Sequence, residues 1–534
     1  MQYSKSWFKS RWLPIITLFF AAFGHVLNII QNNNQYWSIE QMLLPGLFIW
    51  CVLLVLYCFI QLLTRNQTFS IVTSLFINYI FFKFMFLHLQ MPALSALMIL
   101  FGLMFAGIFI LFAFKEKLQI ILKFFLACLF ISFLANSYFA AMIFKNQRYD
   151  LDDFFKNNTH LTLNHASEDA LNLPDIYYII PDGYANQHAL NEYFNLSNQS
   201  FISDLEEKGF FIAPCGHSNY IQTLLSVSSI MNMDYLHNDI GQLEHHYADR
   251  LPIMKHFMES RLEDILLSHN YEIHEASSGF LIQNENKNYR ASISAPEFSL
   301  KPWHSFINQT PIVQLLNLFV GEKNNPLNIY KIHRDSVLKS FADLKDITTY
   351  ETQQPKFVFA HFMIPHTPFV FDADGAYIDH AHVPFSITNL NKSFFEHEFK
   401  NGWDTHYTDY YGPQIAYTNQ LLKNAIDHIK AQKRDRPLVI ILQADHGSKL
   451  GLNRYDKEDS RLDEVFSVLN AFYFSDGYYD RLQPDMSNVN TFRIVLNKYF
   501  GQDLALLENK AFFTKDNTPY SFEDVTDRVN VCGL

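Results

Sequence analysis

A chain of 534 residues is too long for one typical domain and long enough to bury a large core. Its formal charge of -12 comes with no basic stripe, so nothing in it points to a nucleic-acid partner. Hydrophobic residues make up 49%, with 52 phenylalanines, and this weight is concentrated before about Phe144, as expected if part of the chain lives in lipid.

In chain order, the apolar runs are Leu13–Ile30, Met42–Leu63, Phe69–Leu87, Ala93–Phe114 and Leu118–Phe144. Each is near the ~20 residues that a helix needs to cross a bilayer. Lys5, Lys9 and Arg11 precede the first run, Arg65 follows the second, and Lys115 and Lys117 follow the fourth. The connections Gln31–Gln41 and His88–Pro92 carry no Lys or Arg. The positive-inside rule therefore places the N-terminus in the cytoplasm and the exit of the fifth helix on the far side. Lys145 and Arg148 argue mildly against this, and Lys83 must snorkel or face a neighbouring helix. The first run lacks a small-residue cleavage site and leads into further spans, unlike a cleavable signal peptide. The expected organisation is a five-helix transmembrane domain over 1–148, a linker over 149–173 and an extracytoplasmic domain over 174–534. Cys51, Cys58 and Cys128 lie in the apolar runs; Cys215 and Cys532 could form one disulfide in an oxidising compartment, but spacing alone does not pair them.

Beyond the linker, apolar runs alternate with helix-like stretches, the pattern of an α/β fold with a mainly parallel sheet. "DIYYIIPDGY" (Asp175–Tyr184) reads as a strand ending at Asp182 and Gly183. "KFVFAHFMIPHTPF" (Lys356–Phe369) carries His361 and His366, and "LVIILQADHGS" (Leu438–Ser448) runs into Asp445 and His446. Short apolar runs of this kind fit central strands covered on both faces, and ligands collect at the C-terminal edge of such sheets. Taken singly, each residue has a plain structural explanation: a turn aspartate, a satisfied core histidine, a loop histidine before Pro368. Jointly they deliver carboxylates and imidazoles to one edge, the ligand types that Zn²⁺ or Mn²⁺ accepts. Thr223, where a polar loop meets the apolar run after "SNYIQ", can be a helix cap or a nucleophile beside such a metal. Tyr411–Lys433 reads as a long helix and Phe466–Phe474 as a later strand.

With these motifs in order, the chain resembles the alkaline phosphatase and sulfatase superfamily, and most closely its membrane-bound branch of lipoteichoic acid synthases and phosphoethanolamine transferases. The resemblance covers nearly the whole chain and rests on an acid after the first strand, Thr with Ser three residues later, "PHTPF" and "ADHG". It implies a membrane domain of five helices followed by a sulfatase-like α/β domain. Asp182, Thr223, Asp445 and His446 would hold the catalytic metal, and Thr223 would be the nucleophile of a covalent phosphoryl intermediate. His366 and the accompanying His361 would act at the substrate phosphate, with Ser226 and Lys449 on the substrate side. Three departures stand out. Asp182 replaces the Glu usual in these two transferase families. No His follows Asp445-His446 before the next strand, so one divalent ion, Zn²⁺ or Mn²⁺, is expected rather than a permanent second one, with Lys449 or Arg454 supplying positive charge. Neither "CGHSN" at Cys215 nor "TLLSV" at Thr223 carries the Cys/Ser-x-Pro/Ala-x-Arg motif of formylglycine sulfatases.

The function this implies is a metal-dependent phosphotransferase, embedded in the bacterial inner membrane as a multi-pass protein. It would move a phosphoethanolamine or phosphoglycerol headgroup from a phospholipid donor to a glycan or lipid-linked acceptor. The alternative is a phosphodiesterase of the same fold that uses water as acceptor. The segment from about Ser277 to Asn325, with Trp303 and His304, is expected to shape the acceptor pocket.

Overall fold

The computed structural model describes residues 12–33, 39–82, 93–114, 117–146, 172–243, 250–277, 289–291, 311–378 and 403–532. The chain divides into two compact units. The first is built from the N-terminal helices and, from later in the chain, the helix Ile312–Val320 with the turn after it.

Helices occupy all the apolar runs: α1 (Trp12–Asn33), α2 (Ile39–Thr64), α3 (Gln67–Phe82), α4 (Ala93–Ala113) and α5 (Leu118–Asn146). Among the described residues, Gly46–Thr64 of α2 and Leu118–Tyr138 of α5 are long and apolar enough to cross a membrane. The other three carry shorter apolar stretches, Trp12–Gly24, Gln67–Phe81 and Leu97–Ala113. Arg65 takes a left-handed backbone (φ 51°) between α2 and α3, and Asn66 Oδ1 then caps α3 by accepting the Phe69 N–H at 3.0 Å. Trp50 Nε1 donates to Ile15 O at 3.1 Å and ties α2 to α1. Outward-facing positions are apolar as well, with Phe105 and Phe109 each 73% exposed. The expected linker lies, apart from its last two residues, outside the described residues.

The second unit is a sheet of seven strands in the order β2-β7-β6-β1-β5-β3-β4. Its strands are β1 (Asp175–Pro181), β2 (Phe211–Ile212), β3 (Glu272–Ser277), β4 (Tyr289–Ala291), β5 (Lys356–Phe362), β6 (Leu438–Gln443) and β7 (Asn470–Phe474). β1 pairs in parallel with β5 and β6; β7 alone runs against the rest, antiparallel to both of its neighbours, β6 and β2. Every residue of β1, β5 and β6 is buried, because both faces of the sheet are covered. On one face Tyr178 meets Phe359 and Phe492; on the other Phe362 stacks on Phe341 of the helix Ile329–Thr349. Gln443, a polar end to an apolar strand, is satisfied by Asn470 at 3.0 Å and Thr491 at 2.7 Å.

Two elements differ from expectation. The long helix begins at Trp403, not Tyr411, and runs to Ala431 with Pro413 inside it. Within Phe466–Phe474, Phe466 ends a short helix (Leu462–Phe466) and the strand begins only at Asn470. A hairpin of β8 (Phe512–Lys515) and β9 (Thr518–Asp524) stands apart from the main sheet. Cys215 and Cys532 are disulfide-bonded with Cα atoms 5.2 Å apart, across a sequence separation of 317.

Candidate metal centre and nucleophile

The register brings the three expected strand ends level. Ile180 is opposite His361 and Ile179 opposite Leu442, so Asp182, His361 and the Asp445-His446 pair all emerge at the C-terminal edge of neighbouring strands. Gly183 follows Asp182 with φ +72°, which turns the chain where another residue would be strained. Tyr411 fixes that turn: its hydroxyl donates to Gly183 O at 2.7 Å and accepts the Ala185 N–H at 3.1 Å. Gly447 is required for a different reason: a Cβ there would lie 2.3 Å from Glu464 O and 2.4 Å from Ser467 O, both backbone atoms.

Thr223 is the first residue of α6 (Thr223–Asn232), which is buried along its whole length. Its Oγ1 lies 3.2 Å from His446 Nε2 and 3.5 Å from Asp182 Oδ2. The N–H groups of a first helical turn have no intrahelical acceptor, so the hydroxyl stands where an anion is favoured. Ser226, one turn on, donates to the backbone carbonyl of Asp445 at 2.6 Å and so ties α6 to the β6 edge. Further along, Ser228 Oγ lies 2.7 Å from His256 Nδ1, and His256 Nε2 lies 3.0 Å from Asp239 Oδ2. This trio has the connectivity of a hydrolytic triad, but all three side chains are buried, and it anchors α6 instead of meeting substrate.

The donor set fits a metal ion on the grounds of tautomers. His446 Nδ1 lies 2.8 Å from Gly447 O and His366 Nδ1 lies 2.6 Å from Thr367 O, so each Nδ1 carries the proton and donates it. Nε2 of a neutral ring is then a lone pair. His446 Nε2 faces Asp182 Oδ1 at 3.3 Å and Asp445 Oδ2 at 3.4 Å. Both oxygens are buried, and neither accepts a hydrogen bond. Lone pairs converging without protons between them call for a cation. Asp182, His366 and His446 form one potential ligand group and Asp182, His361 and Asp445 another, with donor atoms within 4.8 Å of one another in each. His361 Nε2 is 3.2 Å from Asp182 Oδ2 and the ring is wholly buried; His366 is the more accessible imidazole. Burial pushes His366 down to about 4, against the pull of Asp182, so its ring is neutral at physiological pH.

Lys449 follows on the same loop, half-buried, with its backbone N–H donating to Tyr407 Oη at 3.2 Å. Burial and then Arg454 push its ammonium down to about 8. A cationic cluster adjoins it that the sequence did not reveal as a unit. Asp516, from the β8–β9 turn, pairs with Arg250 at 3.2 Å and Arg454 at 3.3 Å and accepts from Gln222, the residue before Thr223, at 2.9 Å. Arg250 also donates to Gln222 Oε1. No strand end or motif marks Arg250 or Asp516, which is why only the folded chain assembles them.

A model of the Sulfatase family matches residues 175–525. The chain belongs to that family and is an enzyme of the sulfatase-like type. No curated protein matches the sequence. Among solved structures, it is similar to the integral membrane lipooligosaccharide phosphoethanolamine transferase A from Neisseria meningitidis, at 12% identity and a TM-score of 0.37, covering 92% of this chain and 95% of that one. It is also similar to the C-terminal periplasmic domain of EcEptC from Escherichia coli, at 10% identity and a TM-score of 0.40, over 69% of this chain and 97% of that one. A phosphonate monoester hydrolase of Agrobacterium radiobacter matches 64% of this chain and 80% of its own, at 11% identity and a TM-score of 0.37.

Proposed function

We propose that the protein is a membrane-anchored phosphotransferase that moves a phosphoryl headgroup, phosphoethanolamine or phosphoglycerol, from a phospholipid to an envelope glycan or lipid-linked acceptor through a covalent Thr223 intermediate. The observation that carries this reading is the position of Thr223 Oγ1 between His446 Nε2 and Asp182 Oδ2, at 3.2 and 3.5 Å, on the first residue of a buried helix. On the same reading α1 to α5 span the inner membrane, residues 1–148 form the membrane domain, and residues 174–534 work on its periplasmic side. Membrane spans hold such a site beside a lipid donor and raise its effective concentration.

Asp182, Asp445, His446 and Thr223 would hold one Zn²⁺ or Mn²⁺. Bound there, the ion would lower the pKa of the threonine hydroxyl and neutralise charge on the phosphoryl oxygens. Thr223 Oγ1 attacks the phosphorus of the lipid phosphodiester, and the bond to the diacylglycerol oxygen breaks. His366, neutral and the more accessible of the two imidazoles, takes the Thr223 proton on its Nε2 lone pair and passes it to the departing diacylglycerol oxygen; His361, wholly buried, orients Asp182. Lys449, backed by Arg454, lies beside the site as positive charge for the phosphoryl oxygens. An acceptor hydroxyl then attacks the phosphothreonine and frees Thr223.

Mass spectrometry of Thr223 after mixing the metal-loaded protein with bacterial phospholipids tests this. A headgroup-phosphate adduct with released diacylglycerol is expected, abolished in Thr223→Ala and retained in Thr223→Ser. Full turnover by Thr223→Ala would remove the nucleophile from the scheme. Headgroup released to water with no acceptor labelled would point to the phosphodiesterase.

A further inference from the structure

We infer that the helix Ile312–Val320 is an interfacial helix that inserts an apolar face into the outer leaflet, so that the chain returns to the membrane after leaving it at the fifth helix. Two independent lines place it there. Its Leu315 packs against Leu97 and Leu100 of α4, together with Ile80 of α3. Ile80 lies near the C-terminus of α3 and Leu97 near the N-terminus of α4, about 6 Å inside that end at 1.5 Å per residue. Basic residues flank the opposite ends of these helices, at Arg65 and at Lys115 and Lys117, so this end is the outer one. Chain order says the same: residue 312 follows the exit of the fifth helix on the outer side.

The surface of the helix shows what covers it. Phe319 is 83% exposed, Leu318 60%, Val320 44% and Ile312 37%. Its polar positions are confined to one side, where Asn317 Oδ1 accepts from Asn325 at 2.7 Å, and Asn325 also donates to Val313 O at 3.0 Å. The polar turn Glu322–Asn324 that follows marks the level at which the chain leaves the apolar layer. A short helix with large bare apolar residues, docked at the end of an apolar bundle and next to a polar turn, matches the interfacial boundary of a bilayer. The occupant is lipid because the face continues the apolar surface of the helices it packs on.

This rests on the membrane-spanning reading of the bundle, and its test separates the two. In the full chain with Cys51, Cys58 and Cys128 replaced by Ala, single nitroxides are placed at Phe319→Cys, Leu318→Cys, Lys323→Cys and Phe105→Cys. The protein is held in phosphatidylethanolamine–phosphatidylglycerol nanodiscs, and each label's accessibility to oxygen and to a water-soluble nickel chelate is compared. Positions 105, 318 and 319 are expected to favour oxygen, and 323 the chelate. Favouring of the chelate at 318 and 319, with 105 still in lipid, overturns the interfacial helix alone. Shielding of 318 and 319 from both reagents overturns it too, in favour of a protein partner such as a second copy. Favouring of the chelate at 105 overturns the membrane reading itself.

Discussion

Asp445→Asn separates two roles of one side chain. Oδ1 of Asp445 accepts the Gly183 N–H at 3.1 Å, a bond an amide oxygen can also make. Oδ2 contributes only charge, facing His446 Nε2 at 3.4 Å. Asp182 and Asp445 both belong to a ligand group whose atoms lie within 4.8 Å of one another. Like charges at that spacing repel by about 3.5 kcal/mol at an effective dielectric of about 20. Stripped of metal, the variant should therefore be at least as stable as the parent. In metal at about 100 times the dissociation constant, the parent gains about 2.7 kcal/mol, while the variant, short of one charged donor, gains far less. The order of stabilities inverts. Thermal or urea denaturation of the detergent-purified protein, in EDTA and then across a Zn²⁺ or Mn²⁺ series, reads both halves. A variant destabilised by about 2 kcal/mol or more in EDTA would make Asp445 a structural anchor, and equal metal-induced gains in both proteins would remove it from the ligand set.

Three further outcomes are expected. Gly447→Ala forces its Cβ onto backbone carbonyls at 2.3 and 2.4 Å, which must move with Asp445 and His446, so the metal-dependent rise in stability should vanish while the sheet's circular dichroism persists. Burial depresses His217 from 6.5 to about 4, so the unfolded chain takes up this proton first as pH falls. Its contribution is complete above about pH 6.5, shrinks below it, and by pH 4 has fallen by about 3 kcal/mol; His217→Gln in EDTA should remove that slope, and an unchanged slope would mean His217 titrates alike in both states. Cys532→Ser should cost about 2–5 kcal/mol under oxidising conditions and nothing after reduction of the parent, as read by denaturation with and without thiol.

How much of this could be read from residues alone follows from how each part is built. A central parallel strand writes itself as a continuous apolar run, and its end is abrupt because the next residue leaves the core. Asp182, His361 and Asp445-His446 could therefore be assigned to one sheet edge before any coordinate was known, and the observed register places them there. Thr223 at the head of α6 was legible for a related reason, since an apolar helix starting after a polar loop marks its own first turn. The direction of β7 and the pairing of Cys215 with Cys532 were not, because each depends on a chain segment returning from far away in sequence.

The same distinction separates the two layers of the site. Groups that could hold an ion sit at strand ends and were legible; groups that hold those in place mostly were not. Ser226 gives its hydroxyl to Asp445 O, Tyr411 braces the Gly183 turn, and Asp516 draws Arg250 and Arg454 up to the residue before Thr223. None of these contacts has a local sequence pattern. Each is made across 200 residues or more, apart from Arg454 with Asp516 at 62, and exists only once the sheet, α6 and the β8–β9 hairpin have packed. The supporting layer therefore carries what strand ends cannot, the placement of Thr223 against His446 Nε2 and Asp182 Oδ2. On the proposed function, headgroup and acceptor preference are best sought around Arg250 and Arg454, where charge lies beside Thr223 outside the proposed ligand set.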